Sequence, residues 1–199
     1  VAISSVDTAT GGVLAMYGGP DYTTNSRNWS TTPRPAASTF KSFATVAGLR
    51  NGYSLDSTLK GDTFTPRGEG VPVRNEFSEQ YGDVTLRKAV AESINTAFVD
   101  MTESMNNGPA AVIKAANDAG APTGAGWDAN NRIALGAAEV SPLNMANAYA
   151  SLADSGKRKE THFVAKVLDR NGNTVYEAKN EATQAIEENV AANVTDALT

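Results

Sequence analysis

Ser38 and Lys41, a serine and a lysine three residues apart, carry the clearest chemistry in this sequence. Serine is a weak nucleophile until a neighbouring base takes its proton, and a desolvated lysine with a lowered pKa can act as that base. The two residues open a stretch in which Phe40, Phe43 and several small apolar residues predict a buried helix. Because positions three apart share one face of a helix, Lys41 is expected to reach the Ser38 hydroxyl.

A second pair with the same spacing, Ser57 and Lys60, shows that Ser-x-x-Lys also arises by chance. On spacing alone, a capping serine followed by a surface lysine is the simpler interpretation. Position separates the two pairs, because Ser57 lies among loop-forming residues whereas Ser38 directly precedes the predicted helix. A helix N-terminus offers free backbone N–H groups that stabilise negative charge.

A second motif, Ser93-Ile94-Asn95, follows about fifty residues later between two predicted helices. Ser-x-Asn also occurs at Ser26 and Ser104, so this motif is weak when taken alone. The order of the two motifs and the residues around them form a more specific pattern.

The segments that surround the motifs resemble the transpeptidase domains of penicillin-binding proteins, most closely the class A enzymes of actinobacteria. In chain order they are Val6–Gly19, Asn28–Lys41, Glu92–Phe98 and Ala134–Ala146. The chain departs from the family pattern at Ala36-Ala37, where Pro-Gly is usual, and at Ser42, where proline is usual. These departures change the stiffness of the loop around the nucleophile more than they change its chemistry.

The resemblance implies an α+β fold of the penicilloyl-serine transferase type, with a central antiparallel sheet, flanking helices and an all-helical subdomain. We expect residues 1–52 to hold an N-terminal hairpin and the nucleophile helix. Residues 53–155 would form a mainly helical subdomain, and residues 156–199 a hairpin and a helix, with the helix predicted over residues 183–198. Residues 52–82 are predicted to form one long loop.

The resemblance also implies roles for four residues in a D,D-transpeptidase that cross-links peptidoglycan stem peptides. Ser38 would be the acylated nucleophile, Lys41 its base, and Ser93 a proton relay. Asn95 would bind the substrate amide and help to hold Lys41. β-Lactam antibiotics would acylate Ser38 as substrate mimics, and the whole protein would be anchored at the outer face of the bacterial cytoplasmic membrane.

The third family motif, Lys-Thr-Gly or Lys-Ser-Gly, is absent from these 199 residues. The C-terminal strands of the sheet would be absent with it, so we expect a second polypeptide to complete the domain. Two alternatives remain open. One is a D,D-carboxypeptidase or β-lactamase in which water resolves the acyl-enzyme, and the other is a non-catalytic β-lactam-binding or cell-wall scaffold module.

Composition narrows the partners and cofactors. A net charge of −5 argues against nucleic acid, which needs a basic face. With no cysteine, no phosphate loop and no metal-ligand cluster, we expect neither a cofactor nor a metal. The single histidine, His162, lies in an alternating stretch that predicts a solvent-facing strand position. No apolar run has the length of a membrane span or the pattern of a signal peptide.

Overall fold

The computed structural model describes residues 1–199 as a mixture of short strands and helices. The strands are β1 (Ile3–Val6), β2 (Val13–Tyr17), β3 (Arg34–Pro35), β4 (Thr58–Lys60), β5 (Asp83–Thr85), β6 (Glu139–Val140), β7 (Lys157–Arg158), β8 (Lys166–Leu168), β9 (Thr174–Glu177) and β10 (Thr183–Gln184). The helices are α1 (Lys41–Arg50), α2 (Leu86–Ala91), α3 (Asn95–Ser104), α4 (Gly108–Ala119), α5 (Pro142–Ala153) and α6 (Glu188–Leu198). Short 3-10 helices span Ala37–Phe40, Glu76–Ser78 and Ile133–Leu135. No helix combines the length and the apolar character that a membrane span requires.

The strands form five antiparallel pairs: β1 with β2, β3 with β6, β4 with β5, β7 with β10, and β8 with β9. The first and last of these are the two hairpins that the alternating sequence pattern predicts. Helix α5 packs against β1 and covers one face of the N-terminal hairpin. Ser141 caps the start of α5, since its Oγ accepts a hydrogen bond from the Asn144 N–H at 3.2 Å.

Helix α1 forms the centre of the core. Eight of its ten residues are buried, and it packs against α4, α6 and α3. Close approach to α3 depends on Gly48, where a Cβ would lie 2.5 Å from the Met101 sulfur. At the C-terminal end of α1, Arg50 donates hydrogen bonds to Asp118 at 2.7 Å and to Glu187 at 2.8 Å. This end of the helix is therefore joined both to α4 and to the segment that leads into α6.

Two predictions about local structure were wrong. The stretch 52–82 is not loop throughout, because Leu59 in β4 pairs with Val84 in β5 and both are buried. The last helix begins at Glu188, not at residue 183, although residues 183–187 are compatible with a helix. The N–H groups of Ala185 and Ile186 donate to the Gly156 carbonyl instead. The Ile186 side chain is fully buried, so tertiary contacts override helix propensity there.

Candidate active site

Ser38 lies on a tight turn that the backbone holds in place from both sides. The Ala36 N–H donates to the Ala138 carbonyl, and the Ala37 N–H donates to the Gly136 carbonyl, each at 2.9 Å. Gly136 is confined to glycine, because its φ is +78° and a Cβ there would lie 2.0 Å from the Ala37 oxygen. The Ser38 side chain is exposed at the start of a 3-10 helix, where backbone N–H groups lack helical partners.

Ala37 adopts φ +49°, a left-handed conformation that favours glycine. At this position the family that the sequence resembles usually has glycine. The departure therefore stores backbone strain directly beside Ser38, and the two hydrogen bonds from residues 36 and 37 hold the chain in that conformation.

Lys41 is the centre of the site. Its side chain is 4% exposed, and its Nζ lies 3.1 Å from Ser38 Oγ and 2.9 Å from Ser93 Oγ. The same nitrogen lies 2.6 Å from the Ser93 carbonyl oxygen and 2.6 Å from Asn95 Oδ1. The structure thus brings together all four residues that the sequence predicts for the site.

The four groups that contact Lys41 differ in whether they can donate a proton to it. The Ser93 carbonyl and the Asn95 amide oxygen only accept hydrogen bonds, so they take two N–H groups of the lysine in either protonation state. A neutral amine has two N–H groups and one lone pair. The lone pair is then left for the hydroxyls of Ser38 and Ser93, which is the arrangement a general base needs.

Burial lowers the pKa of Lys41 from 10.5 to about 8, while the carboxylate of Glu76 opposes that shift. Desolvation disfavours the ammonium form, and the site has no carboxylate in direct contact with Nζ to restore it. A pKa near 8 makes the neutral amine accessible close to neutral pH. The lysine is therefore suited to take a proton from Ser38.

The Ser93 turn presents two oxygens to one lysine because its backbone is unusual. Ser93 adopts φ +54° between α2 and α3, which lets its carbonyl and its hydroxyl both face Lys41. A non-glycine residue in this region is strained, and such strain is found at functional sites where surrounding structure maintains it. Nothing in the Ser-x-Asn spacing indicates this conformation.

Tyr149, which sequence reasoning missed, joins α5 to the turn that carries Ser38. The Tyr149 hydroxyl donates to the Thr39 carbonyl at 2.8 Å and lies 2.8 Å from Ser42 Oγ. Burial raises the pKa of Tyr149, so the hydroxyl stays protonated. Ser42 stands where proline is usual in the resembled family, and its hydroxyl gives this turn a polar contact that a proline could not make. The contact spans more than a hundred residues, and no local pattern signals it.

The decoy motif and the single histidine lie outside the site. Lys60 is in β4 and pairs with Asp100 at 3.0 Å, and Ser57 Oγ accepts from the Ser54 N–H. His162 is half-buried in a bridge to Gly12, and its side chain makes no hydrogen bond to a serine. No three metal-ligating side chains converge, and the site is built from hydroxyls, an amide and one amine.

Known proteins match this chain over almost its whole length. The family model of the penicillin-binding protein transpeptidase domain matches residues 1–199. The chain is 35% identical to penicillin-binding protein 1A of Mycolicibacterium smegmatis and 34% identical to that of Mycobacterium tuberculosis. Each match covers 99% of this chain but only 26% and 25% of the relatives, so the chain spans about a quarter of their length.

Solved structures extend the comparison. The PonA1 protein from Mycobacterium tuberculosis in complex with penicillin V superposes with a TM-score of 0.90 at 33% identity, covering 98% of this chain and 54% of that one. Penicillin-binding protein A from the same organism, an imipenem acyl-enzyme complex, gives a TM-score of 0.84 at 20% identity. It covers 98% of this chain and 56% of the other, and at that identity it supports the fold alone.

Proposed function

Because this chain belongs to the family of penicillin-binding protein transpeptidase domains, we propose that it carries the nucleophile of a peptidoglycan D,D-transpeptidase, with Ser38 acylated by the stem peptide. The observation that carries the proposal is the position of the buried Lys41 amine, which contacts Ser38, Ser93 and Asn95 together. The fold of the chain is of the penicilloyl-serine transferase type, and Ser38 lies at a helix start beside this amine, which supports its proposed role as the nucleophile.

In the acylation step, Ser38 Oγ attacks the carbonyl of the penultimate D-alanine while its proton moves to neutral Lys41. The Ser38 N–H donates to the developing oxyanion. The peptide bond to the terminal D-alanine then breaks. The departing nitrogen receives the proton of the Ser93 hydroxyl, and Lys41 returns its proton to Ser93. Asn95 holds both Lys41 and the amide on the acyl side of the substrate.

In the second step, an amine from a neighbouring stem attacks the acyl carbonyl. A C–N bond forms, the bond from the carbonyl carbon to Ser38 Oγ breaks, and the amine proton returns to Ser38 through Lys41 or Ser93. β-Lactams enter the first step as mimics and remain bound to Ser38. We place this chemistry at the outer face of the cytoplasmic membrane, in a protein anchored there.

We further propose that another polypeptide segment completes the domain and supplies the Lys-Thr-Gly cation for the substrate carboxylate. The chain covers about half of the PonA1 chain in the penicillin complex, which supports this proposal. The exposed apolar residues of the two hairpins support it as well, among them Leu14 at 68% and Val175 at 67% exposure.

The test is the intact mass of the protein before and after incubation with penicillin, under denaturing conditions that weigh each polypeptide separately. We expect one penicilloyl adduct on the chain, mapped to Ser38, and its loss in Ser38→Ala. Ser57→Ala is the matched control and should be labelled like the wild type. Labelling that persists in Ser38→Ala would refute the assignment, and steady turnover of the antibiotic would replace it with a hydrolase.

A further inference from the structure

Helix α3 starts without a capping side chain of its own. Its N-cap residue is Ile94, which makes no side-chain hydrogen bond to the helix. The first N–H groups of a helix have no intrahelical acceptor, and a polar N-cap side chain usually supplies one. Water cannot do so at Thr96, the second residue of α3, because Thr96 is fully buried. Since α3 begins at Asn95, whose side chain contacts Lys41, the order of this helix start bears directly on the site.

The missing cap comes from a distant segment, through the side chain of Asn75. Its Oδ1 accepts hydrogen bonds from both the N–H and the hydroxyl of Thr96, each at 3.1 Å. Its Nδ2 donates to the carbonyls of Gly61 at 2.7 Å and of Glu79 at 3.0 Å. Asn75 is 7% exposed, and both faces of its amide are fully hydrogen-bonded. A buried polar network that is satisfied in this way rigidifies the groups around it.

The loop that follows Asn75 has a backbone that needs such an anchor. Phe77 adopts φ +53° and Ser78 adopts φ +58°, a conformation that residues other than glycine rarely take. The Asn75 carbonyl accepts from the Ser78 N–H at 3.2 Å, and the Asn75 side chain bonds to Glu79 beyond the turn. Strained backbone persists where the surrounding structure maintains it. Asn75 therefore holds both ends of this turn, and with them the position of the preceding residue, Arg74.

Arg74 contacts the active site through its backbone. Its carbonyl accepts a hydrogen bond from Asn95 Nδ2 at 3.2 Å, while Asn95 Oδ1 lies 2.6 Å from Lys41 Nζ. The carbonyl decides which way the Asn95 amide faces, because it can accept from Nδ2 but cannot bond to Oδ1. A flipped amide would oppose two oxygens and would direct an N–H at Lys41, where it would occupy the lone pair that a base needs.

We propose that Asn75 is a positioning residue for acylation, acting on Lys41 through Asn95. Asn75 caps α3 from outside the helix and holds the Arg74 carbonyl that orients the Asn95 amide. It makes no hydrogen bond of its own to Lys41 or Ser38. This inference rests on the proposed function and adds to it a residue from outside the two sequence motifs.

The test is a double-mutant cycle between positions 75 and 95, measured in the complete protein as the rate constant of acylation by penicillin. Asn75→Ala should slow acylation about tenfold when Asn95 is present. In the Asn95→Ala background no amide is left to orient, so the same change should alter the rate by less than about twofold. Equal slowing in both backgrounds would overturn the proposal, and so would an unchanged rate in the single variant.

A second variant keeps the test decisive where Asn75→Ala does not fold. Thr96→Val removes one of the two hydrogen bonds to Asn75 Oδ1 and retains the backbone N–H and the volume of the side chain. It should slow acylation about threefold, again only when Asn95 is present. The same factor with and without the Asn95 amide would contradict a role through that residue.

The pH profile of acylation separates positioning from a general loss of stability. When the Asn95 oxygen no longer holds the Lys41 ammonium, the pKa of Lys41 falls, so Asn75→Ala should move the midpoint to lower pH. Glu76, the carboxylate that raises the pKa of Lys41, lies in the same loop, and its displacement acts in the same direction.

Ser151→Ala is the matched control, because it also removes a buried side-chain hydrogen bond, the one that Ser151 donates to the Ala119 carbonyl at 2.8 Å. It should lower the thermal midpoint but leave the acylation rate within about twofold and the pH midpoint in place. A midpoint that does not move in Asn75→Ala, or that moves equally in Ser151→Ala, would overturn the proposal. Absence of penicillin labelling in the wild type would instead refute the proposed function.

Discussion

Helix α1 and the two exposed hairpins differ in how completely this chain buries their apolar side chains. Helix α1 has buried residues along most of its length, with polar contacts at both ends, through Lys41 and through Arg50. In contrast, every residue of β8 and β9 is exposed, including Val167 and Tyr176. The helical part of the domain completes its core within these residues, whereas the β1–β2 and β8–β9 hairpins present apolar side chains to solvent.

Backbone hydrogen bonding accounts for part of this difference. A helix satisfies its N–H and C=O groups internally, but a strand needs a neighbour on each side. The four candidate site residues lie on the self-sufficient part, at or just before the N-terminal ends of α1 and α3. The contacts among these four residues therefore do not depend on the completion of the sheet.

The largest expected effect separates the two regions by their stability. Phe43 is fully buried and packs edge-on against Phe40, whereas Phe163 is 61% exposed beside the C-terminal hairpin. Phe43→Ala should cost about 3–5 kcal/mol of the free energy of unfolding, because it leaves a cavity in the core. Phe163→Ala should cost less than about 1 kcal/mol. Urea unfolding of the 199-residue chain measures both, and equal losses would contradict the comparison.

The next effect is the pH dependence of acylation. Lys41 acts as a base only when neutral, and its pKa is about 8, so the neutral fraction increases as pH rises towards that value. The rate of penicillin labelling should rise about tenfold per pH unit between about pH 5.5 and 7 and level off above about pH 8. The rate is measured by mass spectrometry of samples quenched at fixed times. A flat profile over this range would mean that Lys41 is not the base.

Glu76→Gln should shift the same pH profile of acylation. Its carboxylate raises the pKa of Lys41, so its removal should move the midpoint to lower pH. The plateau rate with penicillin should remain, since Glu76 does not contact Ser38.

A smaller effect is expected at the polar contact between α5 and the nucleophile turn. Tyr149→Phe removes the hydroxyl that bonds to Thr39 and Ser42, which should cost about 1 kcal/mol of stability and slow acylation a few-fold. Ser42→Ala should have a similar effect, and the double variant should lose less than the sum, because both residues share one network. Strict additivity of the three rate constants would show that the hydroxyls act separately.

Sequence reasoning was most successful where chemistry and local pattern coincide. Ser38, Lys41, Ser93 and Asn95 were expected in one site, and the structure places them within hydrogen-bond distance of one amine. Their roles stay proposals until labelling tests them. Fold and family follow from the ordered motifs, and the family comparison confirms both.

Sequence reasoning failed where partners are distant or the backbone is strained. The pairing of β4 with β5 joins segments more than twenty residues apart, and neither strand has an alternating pattern long enough to identify it. The partnership of Ser42 with Tyr149 has no local signal either. Positive φ values at Ser93 and Phe77 are set by surrounding hydrogen bonds, which propensities do not describe.

The smallest expected effect concerns the strained residue beside the nucleophile. Ala37→Gly should relieve the strain of the left-handed conformation, worth about 1–2 kcal/mol, against about 0.5–1 kcal/mol of added chain entropy in the unfolded state. The net result should be a gain of up to about 1 kcal/mol. Ala36→Gly is the matched control. Ala36 already has an ordinary φ of −72°, so only the entropy term applies and that variant should be destabilised. Because α1 and the hydrogen bonds to Gly136 and Ala138 already fix the turn, neither variant should change acylation more than about twofold. Equal destabilisation by both substitutions would show that the turn beside Ser38 is relaxed, and that the alanine there carries no cost.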